Sequence, residues 1–260
     1  SHRLAVDGER TISACRELLA EGFSASPDRV IFTKNCTEAL NVAIFGTIKE
    51  GGHVVTTCFE HNSVLRPLTH LKNEGKISLD IVFPEKDENI AEAIAKKITD
   101  KTCLVVATTV SNVTGKALPV GLIGALCKKR NIPFLADGAQ GAGHLPLSLS
   151  KQNISMLAVP AHKGLYGIMG AGALIFKDDQ DIKPLLFGGT GNESFNLEQP
   201  SCYPERLEAG TLNLPAIAAF KEGASYALKN GDIFAEKLFA ATEKIVEAAN
   251  ATPRVKCYSR

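Results

Sequence analysis

The sequence predicts an α/β protein with a mainly parallel β-sheet sandwiched by helices. Short apolar runs alternate with stretches of helical periodicity along most of the chain. These runs are continuous rather than alternating in polarity, as is typical of strands buried on both faces. Polar residues follow the ends of several runs, and ligands of such sheets bind beyond the carboxyl ends of the strands. We therefore expect a ligand site at that edge.

The predicted elements follow one another in a regular order. In the first half they are helix 10–22, strand 30–33, a helix from 37 to about 48, strands 53–57 and 78–82, helix 89–98 and strand 103–110. In the second half they are helix 120–130, strands 133–136, 156–159 and 172–176, and helices 215–228 and 232–250. Helix 10–22 is amphipathic, with Cys15 and Leu19 on its apolar face, and Pro119 precedes helix 120–130.

Composition limits the classes of function. With 260 residues, 45% of them hydrophobic, the chain can bury a substantial core. A net charge of +1 gives no reason to expect nucleic acid or an anionic membrane as a partner. No apolar run reaches membrane-spanning length, and we expect no signal peptide. Seven cysteines without a CxxC pair predict reduced thiols in a cytoplasmic protein.

The clearest chemical signal is a lysine between an apolar run and a glycine-rich segment. Lys163 follows strand 156–159 and precedes residues 167–172. A loop lysine near a turn is the ordinary interpretation, but desolvation lowers the pKa of a lysine amine and makes it a nucleophile toward carbonyl groups. Asp137 ends the preceding strand. Such a pair suits pyridoxal phosphate, whose pyridine nitrogen a carboxylate keeps protonated while a lysine binds the aldehyde.

Other polar residues after strand ends have two interpretations each. Thr37 opens a helix whose N-terminus suits a phosphate, or it is simply an N-cap. His61 is an ordinary loop histidine or a site residue, and Asn112 belongs to an ordinary turn or contacts a ligand. Together with Asp137 and Lys163, these residues converge on one edge of the predicted sheet, which favours a shared site.

Two segments carry a family resemblance. Residues Asp137-Gly138-Ala139-Gln140, followed by Ala161-His162-Lys163, resemble the fold-type I pyridoxal phosphate enzymes of aminotransferase class V. The cysteine desulfurase and selenocysteine lyase branch is the most similar, and the resemblance runs from Arg3 to about Ala224. It implies the large domain of the pyridoxal phosphate-dependent transferase fold, with pyridoxal 5'-phosphate as cofactor. We predict no metal site.

The resemblance implies a role for each site residue. Two are catalytic: Lys163 forms the Schiff base and takes the Cα proton, and His61 stacks on the pyridine ring and assists proton transfer. The others bind the cofactor: Asp137 at the pyridine nitrogen, Asn112 and Gln140 at the phenolic oxygen, Cys36 (through its backbone), Thr37 and His162 at the phosphate, and Thr190 from across a homodimer interface. The stretch 206–211 is expected to be structural.

The implied reaction is removal of sulfur from L-cysteine, leaving L-alanine and an enzyme persulfide, with a sulfur-acceptor protein as a further partner. A class V aminotransferase or a β-lyase, including selenocysteine lyase, is the alternative enzyme. A cofactor-binding or dimerising domain without turnover is the non-enzyme alternative. Products separate the desulfurase from an aminotransferase or a pyruvate-forming β-lyase, because those two yield a 2-oxo acid.

Relatives continue into a small C-terminal domain that carries the nucleophilic cysteine and the arginine that binds the substrate carboxylate. Neither has a match here, so we expect that domain to be largely absent. We expect residues 1–230 to form the cofactor-binding domain, and residues 231–260 a connecting helix and the beginning of the small domain. On this interpretation the chain alone lacks a complete catalytic cycle.

Overall fold

A computed structural model of the chain describes residues 3–85, 89–191 and 195–257. The helices are α1 (Arg3–Phe23), α2 (Cys36–Thr47), α3 (Asn62–Asn73), α4 (Ile90–Lys97), α5 (Val120–Arg130) and α6 (Leu214–Ala251). The strands are β1 (Val30–Thr33), β2 (Gly52–Thr57), β3 (Ile77–Val82), β4 (Thr102–Thr108), β5 (Phe134–Asp137), β6 (Met156–Pro160) and β7 (Gly172–Phe176). These bounds agree closely with the predicted strands.

The strands form one sheet in the order β1-β7-β6-β5-β4-β2-β3. Neighbours from β6 across to β3 are parallel, whereas β7 runs antiparallel to both β6 and β1. Within the described residues β7 is therefore the one reversed strand, and the predicted mainly parallel sheet is confirmed. The carboxyl ends of β4, β5 and β6 lie side by side, which brings the residues that follow them together.

Helices cover both faces of the sheet. Consecutive residues of β5 point to opposite sides, with Phe134 in one apolar cluster and Leu135 in the other. The first cluster includes Phe23 of α1 and Phe220 of α6, and the second includes Ile44 of α2. Each strand of the sheet centre is thus buried on both sides, which explains the continuous apolar runs in the sequence.

The C-terminal helices differ from the prediction. We expected helices 215–228 and 232–250, but residues Leu214–Ala251 form the single helix α6. The Asn230-Gly231 pair looks like a break, yet the helix continues through it, and the Asn230 side-chain amide donates to the Tyr226 carbonyl at 2.8 Å. Glycine inside a helix costs only about 1 kcal/mol, which packing of α6 on α1 easily offsets. The predicted domain boundary at residue 230 falls inside this helix, and the division into domains stays a prediction.

A buried ion pair fixes the stretch 206–211, for which we predicted a structural role. Arg16 on α1 contacts both carboxylate oxygens of Glu208 at 3.0 Å. The Phe32 N–H of β1 donates to the same carboxylate at 2.6 Å, and the Arg16 guanidinium lies over the Phe32 ring. Burial raises the pKa of Glu208, and Arg16 opposes that rise. The pair therefore ties α1, β1 and the segment before α6 into one unit.

None of the described helices combines the length and the apolar character needed to cross a membrane.

Candidate active site

A cavity of about 190 Å³ lies at the carboxyl ends of β4, β5 and β6, against the N-terminus of α2. All predicted site residues except Thr190 line it: Lys163, His61, Asp137, Gln140, Asn112, Cys36, Thr37 and His162. Seven further residues share the lining, among them Asn35, Ser63 and Thr108. The parallel strand order explains this convergence of residues that are far apart in sequence.

Asp137 forms the buried acidic wall of the cavity. It is the last residue of β5, in register with Thr108 of β4, and its exposed fraction is 2%. Its Oδ1 accepts hydrogen bonds from the Ala139 N–H at 2.9 Å and from the Cys36 thiol at 3.6 Å. Its Oδ2 accepts none from the described residues. Burial raises the pKa of Asp137, and the Ala139 N–H, the Cys36 thiol, Lys163 and His61 oppose that rise.

The N-terminus of α2 forms a second wall. Asn35 is its N-cap and accepts from the Glu38 N–H at 2.9 Å, so the interpretation of Thr37 as the N-cap is wrong. The first residues of this helix, Cys36 and Thr37, line the cavity. A Cβ on Gly172 would lie 2.7 Å from the Asn35 carbonyl carbon, so glycine lets β7 approach this turn closely. A helix N-terminus at a cavity is a binding site for anions such as phosphate.

His61 has a defined orientation at the start of α3. It is the N-cap of that helix, and its Nδ1 accepts from the Ser63 N–H at 3.1 Å. The neutral ring therefore carries its proton on Nε2. The Ser63 hydroxyl lies 2.8 Å from His61 Nδ1 and 2.9 Å from Thr37 Oγ1, so it links the histidine to the α2 N-terminus. Sequence reasoning missed Ser63, because its partner Thr37 lies 26 residues away in the sequence.

Lys163 lies in a tight turn after β6. The Tyr166 N–H donates to the Lys163 carbonyl at 2.9 Å, and a Cβ on Gly164 would lie 2.3 Å from the Ala142 carbonyl oxygen. Only glycine fits directly after the lysine, which explains the Lys163-Gly164 sequence. The lysine side chain is exposed at the cavity mouth, so the predicted desolvation of Lys163 is wrong. The adjacent strand is buried, but the turn that follows it is open to solvent.

Several cavity side chains are free to bind a ligand. Ser111 shapes the turn at 111–115 by accepting three hydrogen bonds. Its hydroxyl accepts from the N–H groups of Val113 and Thr114, and its carbonyl accepts from the Gly115 N–H. Asn112 makes no hydrogen bond with any described residue, and the same holds for the side chains of Gln140, His162 and Lys163. Unsatisfied amide and amine groups around one cavity are typical of a binding site.

Thr190 lies apart from this cavity. The loop at 187–191 is largely exposed, and Thr190 is half-buried within it. Its role across a dimer interface stays a prediction. Sequence reasoning also missed Glu60, a buried carboxylate directly before His61. No sequence signal distinguishes Glu60 from a surface glutamate, because its burial depends on the neighbouring strand β4.

Comparison with known proteins identifies the family. The family described as aminotransferase class V matches residues 1–260. The chain belongs to the class V aminotransferases. A probable cysteine desulfurase of Pyrococcus abyssi is 32% identical over 240 residues, covering 88% of this chain and 59% of that protein. The cysteine desulfurase IscS of Clostridium botulinum is 31% identical over 253 residues, covering 95% and 60%.

Solved structures agree with this assignment. The apo structure of a cysteine desulfurase from Thermococcus onnurineus is 28% identical with a TM-score of 0.87, covering 99% of this chain and 68% of that one. A structure described as SspA in complex with cysteine is 28% identical with a TM-score of 0.76, covering 87% and 63%. The chain thus spans about 60% of the length of the curated relatives named above.

Class V aminotransferases are pyridoxal phosphate-dependent enzymes, and the cavity fits that cofactor. Asp137 Oδ2 is an acceptor without a protein donor among the described residues, as a pyridinium nitrogen requires. The α2 N-terminus suits the phosphate. Lys163 is a free amine at the cavity mouth, and the unsatisfied amides of Asn112 and Gln140 suit the phenolic oxygen.

Proposed function

We propose that this chain is the cofactor-binding part of a cysteine desulfurase. Such an enzyme converts L-cysteine to L-alanine and transfers the sulfur to an enzyme thiol, which becomes a persulfide. The observation that carries the proposal is the single cavity in which Asp137, His61 and Lys163 converge. The two relatives named above, both called cysteine desulfurases, support this reaction over transamination. The SspA structure in complex with cysteine supports L-cysteine as the substrate.

In the proposed site, each cavity wall holds a different part of the cofactor. Asp137 pairs with the pyridine nitrogen through Oδ2. The α2 N-terminus and the Thr37 hydroxyl bind the phosphate, together with His162. When bound, pyridoxal phosphate supplies an electron sink that acidifies the Cα–H bond of an attached amino acid. The negative charge of Asp137 keeps the pyridine nitrogen protonated and so strengthens this effect.

Two side chains move protons in the proposed reaction. Lys163 Nζ would hold the cofactor in the resting protein and, once the substrate amine has replaced it, would be free to accept the Cα proton of the substrate. Its exposed position at the cavity mouth lets an incoming amino acid reach it. His61 would pack over the cofactor ring, and its Nε2–H is the group available for proton transfer, because Nδ1 accepts from the Ser63 N–H. Asn112 and Gln140 orient the phenolic oxygen.

The proposed assembly is a homodimer. In the loop at 187–191, Phe187 is 73% exposed, and the preceding Leu186 is 46% exposed. Apolar side chains at this exposure favour contact with a second copy, and C₂ dimers are the commonest closed oligomers. In that dimer, Thr190 contacts the partner's cofactor phosphate. A sulfur-acceptor protein is the further partner, and residues 1–230 form the cofactor-binding domain. Seven cysteines that form no disulfide among the described residues favour the cytoplasm as its location.

Product analysis tests the reaction. The cofactor-loaded protein is incubated with L-cysteine and dithiothreitol, a dithiol that can accept the sulfur and release it as sulfide. Because the nucleophilic cysteine of relatives has no match in this chain and dithiothreitol stands in for it, we expect slow turnover in which alanine and sulfide form in equal amounts above the free-cofactor background, and none with Lys163→Ala. Pyruvate with ammonia and sulfide would contradict the proposal and indicate a β-lyase.

A further inference from the structure

Glu60 lies behind the cavity and joins two strand ends. It follows β2, precedes His61, and is 8% exposed. Its Oε1 accepts from the Thr57 hydroxyl at 2.5 Å and from the Thr108 N–H at 2.9 Å. Thr57 ends β2, and Thr108 ends β4 and lines the cavity. A single carboxyl group thus connects the strand that leads to His61 with the strand that pairs with Asp137.

The second oxygen of Glu60 has no hydrogen-bond partner among the described residues. Oε2 is buried and makes no hydrogen bond, and no ion pair within the described ranges includes Glu60. The nearby Lys116 ammonium lies over the Phe59 ring, 5.2 Å from its centroid. Cys58, on the same segment, carries no positive charge in either protonation state. An ionised carboxylate that has one oxygen without a donor and no cation paired with it is costly to bury. Burial raises the pKa of Glu60 to about 8, with the charge of Asp137 contributing and the Thr57 and Thr108 bonds opposing.

The two buried carboxyl groups have unequal surroundings. Asp137 receives an N–H and a thiol, and Lys163 and His61 both act to lower its pKa. Glu60 receives only a hydroxyl and a backbone N–H, and the charge of Asp137 acts against its ionisation. Two neighbouring carboxylates in a buried site do not both ionise readily, and the better-solvated one keeps the charge. The proton of this pair therefore belongs on Glu60.

We propose that Glu60 is a positioning residue: a neutral carboxylic acid that fixes the strand ends carrying His61 and Thr108 and leaves the negative charge on Asp137. A neutral Glu60 keeps Asp137 ionised to bind a protonated pyridine nitrogen. The inference rests on the proposed cofactor role of Asp137 but not on the identity of the substrate.

Infrared difference spectroscopy of the cofactor-loaded protein locates the proton. A protonated carboxylic acid has a carbonyl stretch that a carboxylate lacks. At neutral pH we expect this band in the parent and in Asp137→Asn, and its loss in Glu60→Gln. In the parent, the band should titrate with a midpoint of about 8. A band that is lost in Asp137→Asn and retained in Glu60→Gln would overturn the proposal.

Cofactor titration tests the positioning role. Glu60→Ala leaves the Thr57 hydroxyl and the Thr108 N–H without an acceptor, so we expect the affinity for pyridoxal phosphate to fall about tenfold. Glu60→Gln keeps an oxygen for both donors and should restore most of that affinity. Equal losses in both variants, or no loss in either, would overturn the role. Since neither measurement uses L-cysteine, a failed desulfurase assignment leaves both results interpretable. If Glu60→Ala does not fold, the infrared comparison with Glu60→Gln decides the question.

Discussion

Replacing Asp137 by asparagine should move cofactor affinity and protein stability in opposite directions. The asparagine Oδ1 can keep the bonds from the Ala139 N–H and the Cys36 thiol, so the fold should persist. At the Oδ2 position an amide replaces the charged acceptor. A charge-assisted bond contributes ~1.5–3 kcal/mol and a neutral one ~0.5–1.5, so the expected loss is about 1–2 kcal/mol. That loss corresponds to about 5- to 30-fold weaker binding of pyridoxal phosphate.

Without cofactor, the same variant should unfold at a higher denaturant concentration at neutral pH. Burial raises the pKa of Asp137, which means that its ionised form destabilises the folded chain. The assays are a spectroscopic titration with pyridoxal phosphate and urea unfolding of the apo protein. Asp100→Asn, at the opposite edge of the sheet, is the control and should change neither. Unchanged cofactor affinity in Asp137→Asn would refute the assignment of its free oxygen to the pyridine nitrogen.

Three further predictions concern residues around the site. Cys36→Ala removes a donor to Asp137 and should weaken cofactor binding a few-fold in the same titration. Cys36→Ser keeps a donor and should leave cofactor binding unchanged, so equal effects of the two variants would contradict the thiol–carboxylate bond. Glu60 should lower the free energy of unfolding as pH rises from 4.5 to about 8, because in that range the unfolded chain has released the Glu60 proton and the folded chain has not. In urea unfolding, the stability of Glu60→Gln relative to the parent should therefore rise by on the order of 5 kcal/mol across that range. Parallel pH profiles would count against a neutral Glu60. Arg16→Met leaves Glu208 buried without its counterion and should lower the free energy of unfolding by about 3–5 kcal/mol, whereas the exposed Arg10→Met should hardly change it. A loss below about 1 kcal/mol for Arg16→Met would show that the ion pair is dispensable.

Strand positions and the cavity edge could be predicted because they depend on local patterns. Continuous apolar runs marked β4, β5 and β6, and the rule that ligands bind beyond parallel strand ends placed Asp137 and His61 in one site. The single helix α6 could not be predicted from local signals. Asn230-Gly231 has the composition of a turn, and packing against α1 outweighs that preference.

The states of individual side chains were harder to predict than their positions. The exposure of Lys163 depends on how the turn after β6 opens, which no residue in that turn specifies. Glu60 and Ser63 went unnoticed because their partners, Thr108 and Thr37, come from distant parts of the chain. Burial and hydrogen bonding of a polar side chain are tertiary properties, so sequence spacing alone cannot reveal them.

Trapping the cofactor on its lysine tests the central claim most directly. The protein is loaded with pyridoxal phosphate, reduced with borohydride and digested, and the peptides are mapped by mass. We expect the pyridoxyl mass on the peptide that contains Lys163, accompanied before reduction by visible absorbance that Lys163→Ala lacks. The neighbouring Lys151 and Lys177 are internal controls and should remain unmodified. The modification on any lysine other than Lys163, or an unchanged spectrum in Lys163→Ala, would contradict the account.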